Sequence, residues 1–513
     1  MAASLGPADL GRVYREAFPD RGFVVVSNRE PYEHFWDEAA DEIDVRRPTG
    51  GLVAALDPLM QAVGGRWIAW GSGDRDEATV DDNDSVAVPP EEPAYTLKRL
   101  WLDQQDVHQY YFGYSNQFLW PLCHLRPALT RTRVKYWERY VEVNQRFADA
   151  VTTTAAASSL DSAAVWTQDY HLALTPRMIR ERRPDLTLAH FWHIPFPPLE
   201  IFRVASDGPE LLRGLLANDL VGFHLPLFCD NFLRCTESIL PDATIDWDAR
   251  SAELDGHTSY VRAFPISIDV EAFRDAAGSA DAAGRIERMR ARYAPGDMML
   301  GLGVDRIDYS KGLEEKLKTL DIFFDTYPQF RERFTFVQIA VPSRTGIDTY
   351  DWLNEKLERM VWSINDRYGS GSWRPVHLLK ESFPAERLAH YYRAADVCIV
   401  NSLQDGMNLV AKEFIACQID DPGGVLVLSK FAGAVEELDG VLEVNPYDPE
   451  RAAAALRDAL LMPADERRER MQRLQQSLRS IYDWMAEIFR VWGVVAAGSP
   501  APLSDADRWS RFR

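Results

Sequence analysis

Two segments in the C-terminal half of the chain carry the charges and the spacing needed to bind a diphosphate. The first, residues 304–312, follows an apolar strand-like run and ends in a loop that carries Arg306 and Lys311. The second, residues 405–413, follows another apolar run and opens a helix near Asn408. A helix N-terminus exposes unpaired N–H groups and a partial positive charge, so it attracts phosphate. Two cations on one loop and a helix N-terminus on another predict a pyrophosphate clamp.

An acidic side chain one turn into that helix completes the outline of a nucleotide-sugar site. Glu413 is placed to accept hydrogen bonds from ribose hydroxyls. The alternative is that Lys412 and Glu413 both face water on an ordinary solvated helix surface.

These loops require strands whose ends lie side by side. Apolar runs alternate with amphipathic stretches along the chain, which predicts βαβ units and parallel sheets. The predicted strands are residues 23–27, 67–70, 164–167, 186–191, 220–223 and 261–264 in the first half, and 298–304, 335–340, 376–379, 397–400, 425–428 and 442–444 in the second. We therefore predict an α/β fold with two Rossmann-like parallel-sheet domains facing a central cleft, and ligands beyond the carboxyl ends of the strands.

The length of 513 residues is too great for one hydrophobic core. We place an N-terminal extension at residues 1–20, an N-terminal domain at 21–264 and a C-terminal domain at 265–480. Residues 481–513 are predicted to be a helical segment and tail, with packing against the N-terminal domain left open.

The composition excludes several classes of partner. A net charge of −21 argues against nucleic acid and against an anionic membrane surface. The five cysteines are scattered without a CxxC pair, which indicates buried free thiols in a reducing compartment. With no signal pattern and no apolar run long enough to span a bilayer, the protein is predicted to be cytoplasmic. The acid excess leaves a salt-rich cytoplasm open, and a homo-oligomer is left open as well.

Several further motifs occur in a fixed order along the chain. They are Ser27-Asn28-Arg29, Gly50-Gly51-Leu52, Tyr110-Tyr111, Ser115-Asn116, Leu119-Trp120-Pro121, Asp169-Tyr170-His171-Leu172, His193-Ile194-Pro195-Phe196-Pro197, Asp219 to His224, Pro342-Ser343-Arg344 and Phe431-Ala432-Gly433-Ala434. Together with the two segments above, this set resembles the trehalose-6-phosphate synthases, which are retaining glycosyltransferases of the GT-B fold, over roughly residues 22 to 485.

The resemblance implies a role for each matched position. Arg306 and Lys311 would hold the donor pyrophosphate, and His193 would lie beside the transferring glucose. The implied catalytic residues are Arg306, Lys311, His193 and Asp405. The implied donor-binding residues are Gly51, Arg306, Lys311, Asp405, Gly406, Met407, Asn408, Leu409 and Glu413. The implied acceptor-binding residues are Arg29, Tyr111, Trp120, Asp169 and Arg344.

The implied reaction moves glucose from UDP-glucose to glucose 6-phosphate, giving trehalose 6-phosphate and UDP. The substrates are small molecules, the nucleotide sugar is a co-substrate, and neither a cofactor nor a metal is required. Cations on the departing phosphate stabilise the negative charge that develops there. Two alternatives remain open: a synthase with another phosphorylated acceptor, such as glycerol 3-phosphate, and a catalytically silent sensor of sugar phosphate. The choice among UDP, GDP and ADP donors is also open.

The chain departs from the usual family pattern around the walls of the site. Gln404 stands where an Arg is common before the Asp-Gly-Met-Asn motif, and Gln168 replaces the usual His before Asp169. A long acidic loop is predicted from Glu30 to Pro48. Each aromatic or basic residue also has a plain structural explanation. For Tyr111 and Trp120, the alternative to an acceptor contact is ordinary core packing. For His193, the alternative to a position beside the glucose is a hydrogen-bonded core histidine.

Overall fold

The computed structural model describes residues 5–48, 51–156, 162–344 and 347–508. It divides into two compact units, of which unit 1 comprises residues 1–266 and 481–513 and unit 2 comprises residues 267–480. Gly50 of the predicted helix-opening glycine pair lies outside the described residues.

Unit 1 is built on one large, mostly parallel sheet. Its strands are β1 (Phe23–Arg29), β4 (Arg66–Trp70), β5 (Ser85–Val88), β6 (Tyr95–Leu100), β7 (Ala164–Gln168), β8 (Thr187–Phe191), β9 (Leu220–Phe223), β10 (Thr244–Asp246), β11 (Ser251–Leu254) and β12 (His257–Ala263), and a separate hairpin pairs β2 (Glu33–Asp37) with β3 (Glu42–Arg46). The spatial order is β10-β11-β12-β9-β8-β7-β1-β4-β6-β5 within the described residues. The seven strands from β12 to β6 in this order are parallel to one another, and β11 and β5 pair with the two ends of this set in antiparallel fashion.

This order reverses direction between β1 and β7. From β1 the chain winds outward through β4 and β6, then returns to the other side of β1 and winds outward through β7, β8 and β9. In doubly wound sheets, ligands bind at this switch point, beyond the carboxyl ends of the strands. Arg29 ends β1 and Asp169 follows β7, so both lie at that position.

Helices cover the unit 1 sheet. They are α1 (Pro7–Ala17), α2 (Gly51–Val63), α3 (Gln104–Asp106), α4 (Trp120–Cys123), α5 (Val134–Ala156), α6 (Thr175–Arg180), α7 (Leu199–Phe202), α8 (Gly208–Leu215) and α9 (Pro226–Ile239). A π-helical segment, Val107–Leu119, joins α3 to α4.

Unit 2 is built on a second, fully parallel sheet. Its strands are β13 (Met299–Arg306), β14 (Phe334–Val341), β15 (Val376–Leu379), β16 (Val397–Val400), β17 (Val425–Ser429) and β18 (Leu442–Val444). Its helices are α10 (Val270–Ala277), α11 (Ala282–Tyr293), α12 (Leu313–Thr326), α13 (Asp348–Tyr368), α14 (Ala385–Ala394), α15 (Leu409–Cys417), α16 (Pro449–Leu461) and α17 (Ala464–Ser477). The strand order β15-β14-β13-β16-β17-β18 is the Rossmann order 3-2-1-4-5-6, with its switch point between β13 and β16.

The chain then returns to unit 1 through α18 (Ile481–Ala496). The Phe489 ring packs on Tyr14 of α1 at 5.3 Å and on Phe23 of β1 at 5.6 Å between centroids. The indole of Trp484 lies 5.7 Å from that of Trp166, and its N–H donates to the Phe264 carbonyl. This aromatic packing makes the last helix part of the unit 1 core.

Two sequence-based expectations differ from the structure. The predicted acidic loop from Glu30 to Pro48 is wrong in part, because it contains the β2–β3 hairpin, whose aromatic and β-branched residues favour strands. Arg306 was predicted to lie in a loop, but it ends β13, since β13 stays paired with β14 as far as Val341. The prediction that the cysteines are buried free thiols is confirmed for all five. Within the described part of the chain, no helix is long and apolar enough to cross a membrane.

Candidate active site

The unit 2 site begins where β13 ends. Arg306 is exposed at the end of the strand, and a 3-10 turn, Tyr309–Lys311, follows directly. Gly312 closes the turn with a φ of +64°, and a Cβ there would lie 2.1 Å from the carbonyl oxygen of Asn401. A glycine is therefore required on both conformational and steric grounds. This turn carries Lys311 towards the loop after β16.

Lys311 and Asp405 meet at the switch point. The ammonium group of Lys311 donates to Oδ2 of Asp405 at 2.5 Å, and both side chains are largely buried. The same oxygen accepts hydrogen bonds from Ser402 Oγ at 3.1 Å and from Asn408 Nδ2 at 3.2 Å. The two predicted catalytic residues thus form one polar network, and the ion pair holds the lysine in place at the strand ends.

The helix N-terminus predicted near Asn408 is present as the start of α15. Asn408 is the N-cap residue, and its Oδ1 accepts from the N–H of Ala411 at 3.3 Å. Residues Gly406 to Asn408 lead into the helix and pack against the loop of Gly433. A Cβ on Gly433 would lie 2.1 Å from the Gly406 carbonyl oxygen, and the Ala434 N–H donates to the Met407 carbonyl. The Phe431–Ala434 motif therefore fixes the path of the loop before α15.

Glu413 is partly buried one turn along α15. Its Oε2 accepts a hydrogen bond from the hydroxyl of Tyr392 at 2.7 Å. Burial raises the pKa of Glu413, and the Tyr392 hydrogen bond opposes that rise. The alternative that Lys412 faces water is wrong, because Lys412 is fully buried and forms an ion pair with Glu437 at 2.5 Å.

Arg344 follows β14 in unit 2, and its largely buried side chain belongs to a charged cluster. It adopts a positive φ of 50°, and its guanidinium donates to Oδ2 of Asp308 at 2.8 Å. The other carboxylate oxygen of Asp308 accepts from the N–H and the hydroxyl of Ser310, next to Lys311. One buried carboxylate therefore joins the turn that carries Lys311 to the predicted acceptor residue Arg344.

In unit 1, Arg29 lies between two aromatic rings. It donates to the Tyr111 hydroxyl at 3.1 Å, and its guanidinium carbon lies 5.2 Å from the Tyr111 ring centroid and 5.7 Å from that of Trp70. Trp70 ends β4 directly opposite Arg29 in the strand register. Cation–π attraction at these distances limits the movement of an exposed arginine. The predicted contacts did not include Trp70, although its position at the end of a predicted strand was a usable signal.

Tyr111 belongs to the π-helical segment, and Trp120 begins the α-helix after it. The Tyr111 ring stacks on His171 at 5.7 Å, and the indole of Trp120 lies 5.9 Å from the ring of Tyr170. The wide turn of a π-helix is rare and is frequently found at functional sites. The two predicted acceptor aromatics are thereby arranged around the loop that follows β7.

Asp169 has an unusual backbone conformation at the end of that strand. Its φ of 68° and ψ of 170° fall in a region that residues other than glycine rarely adopt. Its Oδ1 accepts the main-chain N–H of His193 at 3.1 Å. Nε2 of His193 lies 2.9 Å from Oε1 of Gln168. Burial lowers the pKa of His193 well below its ordinary value, and His224, His190 and His171 lower it further.

A buried charged cluster holds the segment that follows Arg29. The Arg99 guanidinium donates to Glu30 at 2.8 Å, contacts Asp76 at 2.9 Å and reaches the Tyr32 carbonyl at 2.9 Å, and none of the three charged side chains is exposed. Burial raises the pKa of Glu30 to about 8, with a further contribution from its hydrogen bond to Asp76. The cluster ties β6 to the end of β1, which fixes the position from which Arg29 extends.

Replacing Glu30 with glutamine is expected to change how stability depends on pH. Glu30 binds its proton more tightly in the folded state than in the unfolded one, so its contribution to stability falls as the pH rises from about 4.5 to about 8. The Glu30→Gln variant cannot titrate and should lose that part of the slope. Urea denaturation of both proteins across this range measures the effect, and identical slopes would contradict it.

The structure therefore gathers the predicted residues into two groups. Lys311, Asp405 and Asn408 are in contact in unit 2, and Arg29 contacts Tyr111 in unit 1. Gly51 is the first residue of α2. Among the described residues, no group of three or more His, Cys, Asp or Glu side chains is arranged to hold a metal ion.

Comparisons with known proteins identify the family of the chain. The family model of glycosyltransferase family 20 matches residues 21–491. The trehalose-6-phosphate synthase of Mycobacterium leprae is 39% identical over 483 residues, which cover 91% of this chain and 95% of the relative. A crystal structure of α,α-trehalose 6-phosphate synthase from Burkholderia multivorans superposes with a TM-score of 0.82 at 32% identity, covering 93% of this chain and 97% of that one. The UDP-forming enzyme from Burkholderia xenovorans, in complex with glucose-6-phosphate, gives 0.81 at 29% identity over 92% and 99%.

The predicted α/β fold with two Rossmann-like sheets is confirmed by the strand orders and by these neighbours. On the breadth of the family match and the identity to its relatives, the chain is a glycosyltransferase of the GT-B class and belongs to glycosyltransferase family 20, with the trehalose-6-phosphate synthases as its relatives.

Proposed function

We propose that this chain transfers glucose from UDP-glucose to glucose 6-phosphate, forming α,α-trehalose 6-phosphate and UDP with retention of configuration. The observation that carries the proposal is the position of the polar residues in the two sheets. Arg29 and Asp169 lie at the β1/β7 switch point of unit 1, and Lys311 and Asp405 lie at the β13/β16 switch point of unit 2.

In unit 2, charged side chains and main-chain N–H groups hold the donor. Arg306 and Lys311 contact the pyrophosphate, and the N–H groups from Gly406 to Leu409 at the start of α15 bind phosphate and glucose. By the family resemblance, we also assign Gly51 to the donor-binding residues. Glu413 accepts from the ribose hydroxyls. Because its Oε2 is already held by Tyr392, Glu413 meets the ribose in a fixed orientation.

The acceptor-binding residues that we propose are Arg29, Tyr111, Trp120, Asp169 and Arg344. The guanidinium groups face the phosphate of glucose 6-phosphate, since charge-assisted bidentate contacts suit that group. The aromatic rings around Arg29 restrict it to one orientation. Asp169 accepts hydrogen bonds from sugar hydroxyls of the acceptor.

The reaction breaks the bond between the anomeric carbon and the UDP phosphate, and the anomeric hydroxyl of glucose 6-phosphate forms the new bond on the same face. The departing phosphate oxygen takes the proton of the attacking hydroxyl. Positive charge from Arg306 and Lys311 stabilises the negative charge on the leaving group. These two side chains perform the charge compensation that a metal ion provides in other transferases.

The test is a grid of donors and acceptors with product identification by mass spectrometry. Purified protein is incubated with UDP-, GDP- or ADP-glucose and with glucose 6-phosphate or glycerol 3-phosphate. We expect a disaccharide phosphate from glucose 6-phosphate and UDP-glucose. A glucosylglycerol phosphate as the main product would replace the acceptor in this proposal, and release of no nucleoside diphosphate from any pair would refute the transferase activity.

Replacing Arg344 with alanine is expected to raise the KM for glucose 6-phosphate about tenfold or more, because a charge-assisted contact contributes about 1.5–3 kcal/mol. The KM for UDP-glucose should change much less. The Arg344→Lys variant keeps the charge without the bidentate geometry and should lie between the two. Initial rates at varied acceptor concentration measure the effect, and an unaltered acceptor KM would remove Arg344 from the acceptor site.

A further inference from the structure

Gln168 is a buried amide at the switch point of unit 1. It is the last residue of β7, its side chain is not exposed at all, and it stands directly before the strained Asp169. Burying an amide costs free energy unless its polar atoms are hydrogen-bonded. An apolar residue would fill this position at lower cost, so the amide calls for an explanation in terms of its contacts.

Its hydrogen-bonding atom is directed at His193. Oε1 of Gln168 lies 2.9 Å from Nε2 of His193, while Oδ1 of Asp169 accepts the main-chain N–H of the same histidine at 3.1 Å. Two consecutive residues of one strand end therefore hold both the backbone and the imidazole of His193. Holding the ring at one nitrogen fixes its rotation and determines what the other nitrogen presents.

The second atom of the amide is also informative. Nε2 of Gln168 is buried and has no hydrogen-bond partner among the described residues. Gln168 therefore keeps an unsatisfied donor in the core while its oxygen is used on His193. A neutral imidazole carries one N–H, and an oxygen that faces Nε2 requires the proton to be there. Nδ1 is then left with its lone pair.

We propose that Gln168 is a positioning residue that fixes His193 as the Nε2–H tautomer, so that the Nδ1 lone pair accepts a hydrogen bond from a hydroxyl of the transferring hexose. The role of the hexose rests on the proposed function. The tautomer itself is a property of the protein alone, so the two can fail separately. A purely space-filling Gln168 would affect stability but neither the tautomer nor the pH profile.

The direct test is an NMR measurement of the tautomer. The full chain is labelled with ¹⁵N-histidine, and long-range ¹H–¹⁵N correlations are recorded without ligand. The His193 signals are assigned by their loss in a His193→Asn variant. We expect the Nε2–H pattern in the unmodified protein and a mixture of tautomers in Gln168→Ala. An Nδ1–H pattern in the unmodified protein, or no change in the Gln168→Ala variant, would overturn the proposal whatever the enzyme turns over.

The kinetic test uses two substitutions with opposite expectations. Gln168→Ala should lower kcat about tenfold or more at every pH, by analogy with the loss of residues that orient ligating histidines. Gln168→Glu keeps an oxygen acceptor opposite Nε2, so its kcat should stay near that of the unmodified protein at high pH. As the pH falls, the introduced carboxylate and the imidazole of His193 take up a proton as one coupled system, and Nδ1 loses its lone pair. The activity of this variant should therefore decline towards low pH.

The other groups around His193 are common to all the variants. Asp169 accepts the main-chain N–H of His193, and the His224 ring lies 5.5 Å from the His193 ring. Burial, followed by His224, His190 and His171, lowers the pKa of His193 in the unmodified protein. The matched control is Thr167→Val, one residue earlier on β7, which removes a buried hydrogen bond to His190. It should lower the melting temperature without changing the pH profile. Equal kcat in Gln168→Ala and the unmodified protein, or a Gln168→Glu profile identical to that of Gln168→Ala, would overturn the proposal.

Discussion

Replacing Arg306 or Lys311 with alanine is expected to lower kcat by about two orders of magnitude or more, which corresponds to about 2.7 kcal/mol of lost transition-state stabilisation. In the proposed donor site, Arg306 at the end of β13 and Lys311 in the turn that follows would balance the charge that develops on the departing phosphate. Because that charge is larger in the transition state than in the bound donor, kcat should fall more than the donor KM rises. Steady-state rates of UDP release give both quantities.

The two variants should differ in stability. Arg306 is exposed, so its removal should leave the melting temperature almost unchanged. Loss of Lys311 removes a largely buried ion pair with Asp405, so that variant should melt earlier. Arg359→Ala and Lys318→Ala are matched controls, since both residues form exposed i,i+4 pairs in unit 2. Unchanged kcat in both site variants would refute the clamp.

Replacing Arg99 with alanine is expected to destabilise unit 1 by about 3–5 kcal/mol, which is typical when one partner of a buried ion pair is removed. The guanidinium contacts Glu30 and Asp76 at 2.8 and 2.9 Å and is itself fully buried, so water cannot replace it. The lost side chain also leaves the carbonyl of Tyr32 without this donor. Calorimetry suits the measurement, because two units need not unfold as one transition.

Arg12→Ala provides the comparison for Arg99. Arg12 forms an exposed pair with Glu16 in the same unit, and exposed pairs contribute about 0–1 kcal/mol. We expect the Arg99 variant to shift the unit 1 transition while the unit 2 transition stays in place. Equal effects of the Arg99 and Arg12 substitutions would show that the buried cluster is not a stabilising element.

The sequence predicts most of unit 2 because its strands are short apolar runs, and the central strands β16 and β17 are buried along their whole length. Val376–Leu379, Val397–Val400 and Leu442–Val444 have the bounds that their apolar runs indicate. In unit 1, β6 was missed because it alternates polar and apolar residues and includes Lys98 and Arg99. Arg99 is buried only because Glu30 and Asp76 come from distant parts of the chain, and local patterns do not contain that information.

The candidate site likewise has features that local sequence predicts and features that depend on tertiary packing. Loops after parallel strands bind ligands, so motif residues at predicted strand ends could be placed on the correct edge of each sheet from the sequence. Which loops become neighbours depends on strand order, and this order is set by tertiary packing. Only the structure therefore shows the contact between Lys311 and Asp405. The same is true of the hydrogen bonds that join Gln168 and Asp169 to His193. From the sequence, Gln168 stands out only because it departs from the family pattern.

The return of α18 to unit 1 sets an order for folding during synthesis. Unit 2 is one continuous stretch, so it has all of its residues once position 480 has left the ribosome. Most of unit 1 is translated first. Its core around Tyr14, Phe23 and Trp166 is complete only after Phe489 and Trp484, near the end of the chain, have been translated. The first half of the nascent protein must therefore keep an aromatic surface open while the second half folds. At this stage, chaperones would bind the exposed aromatic surface of the nascent chain.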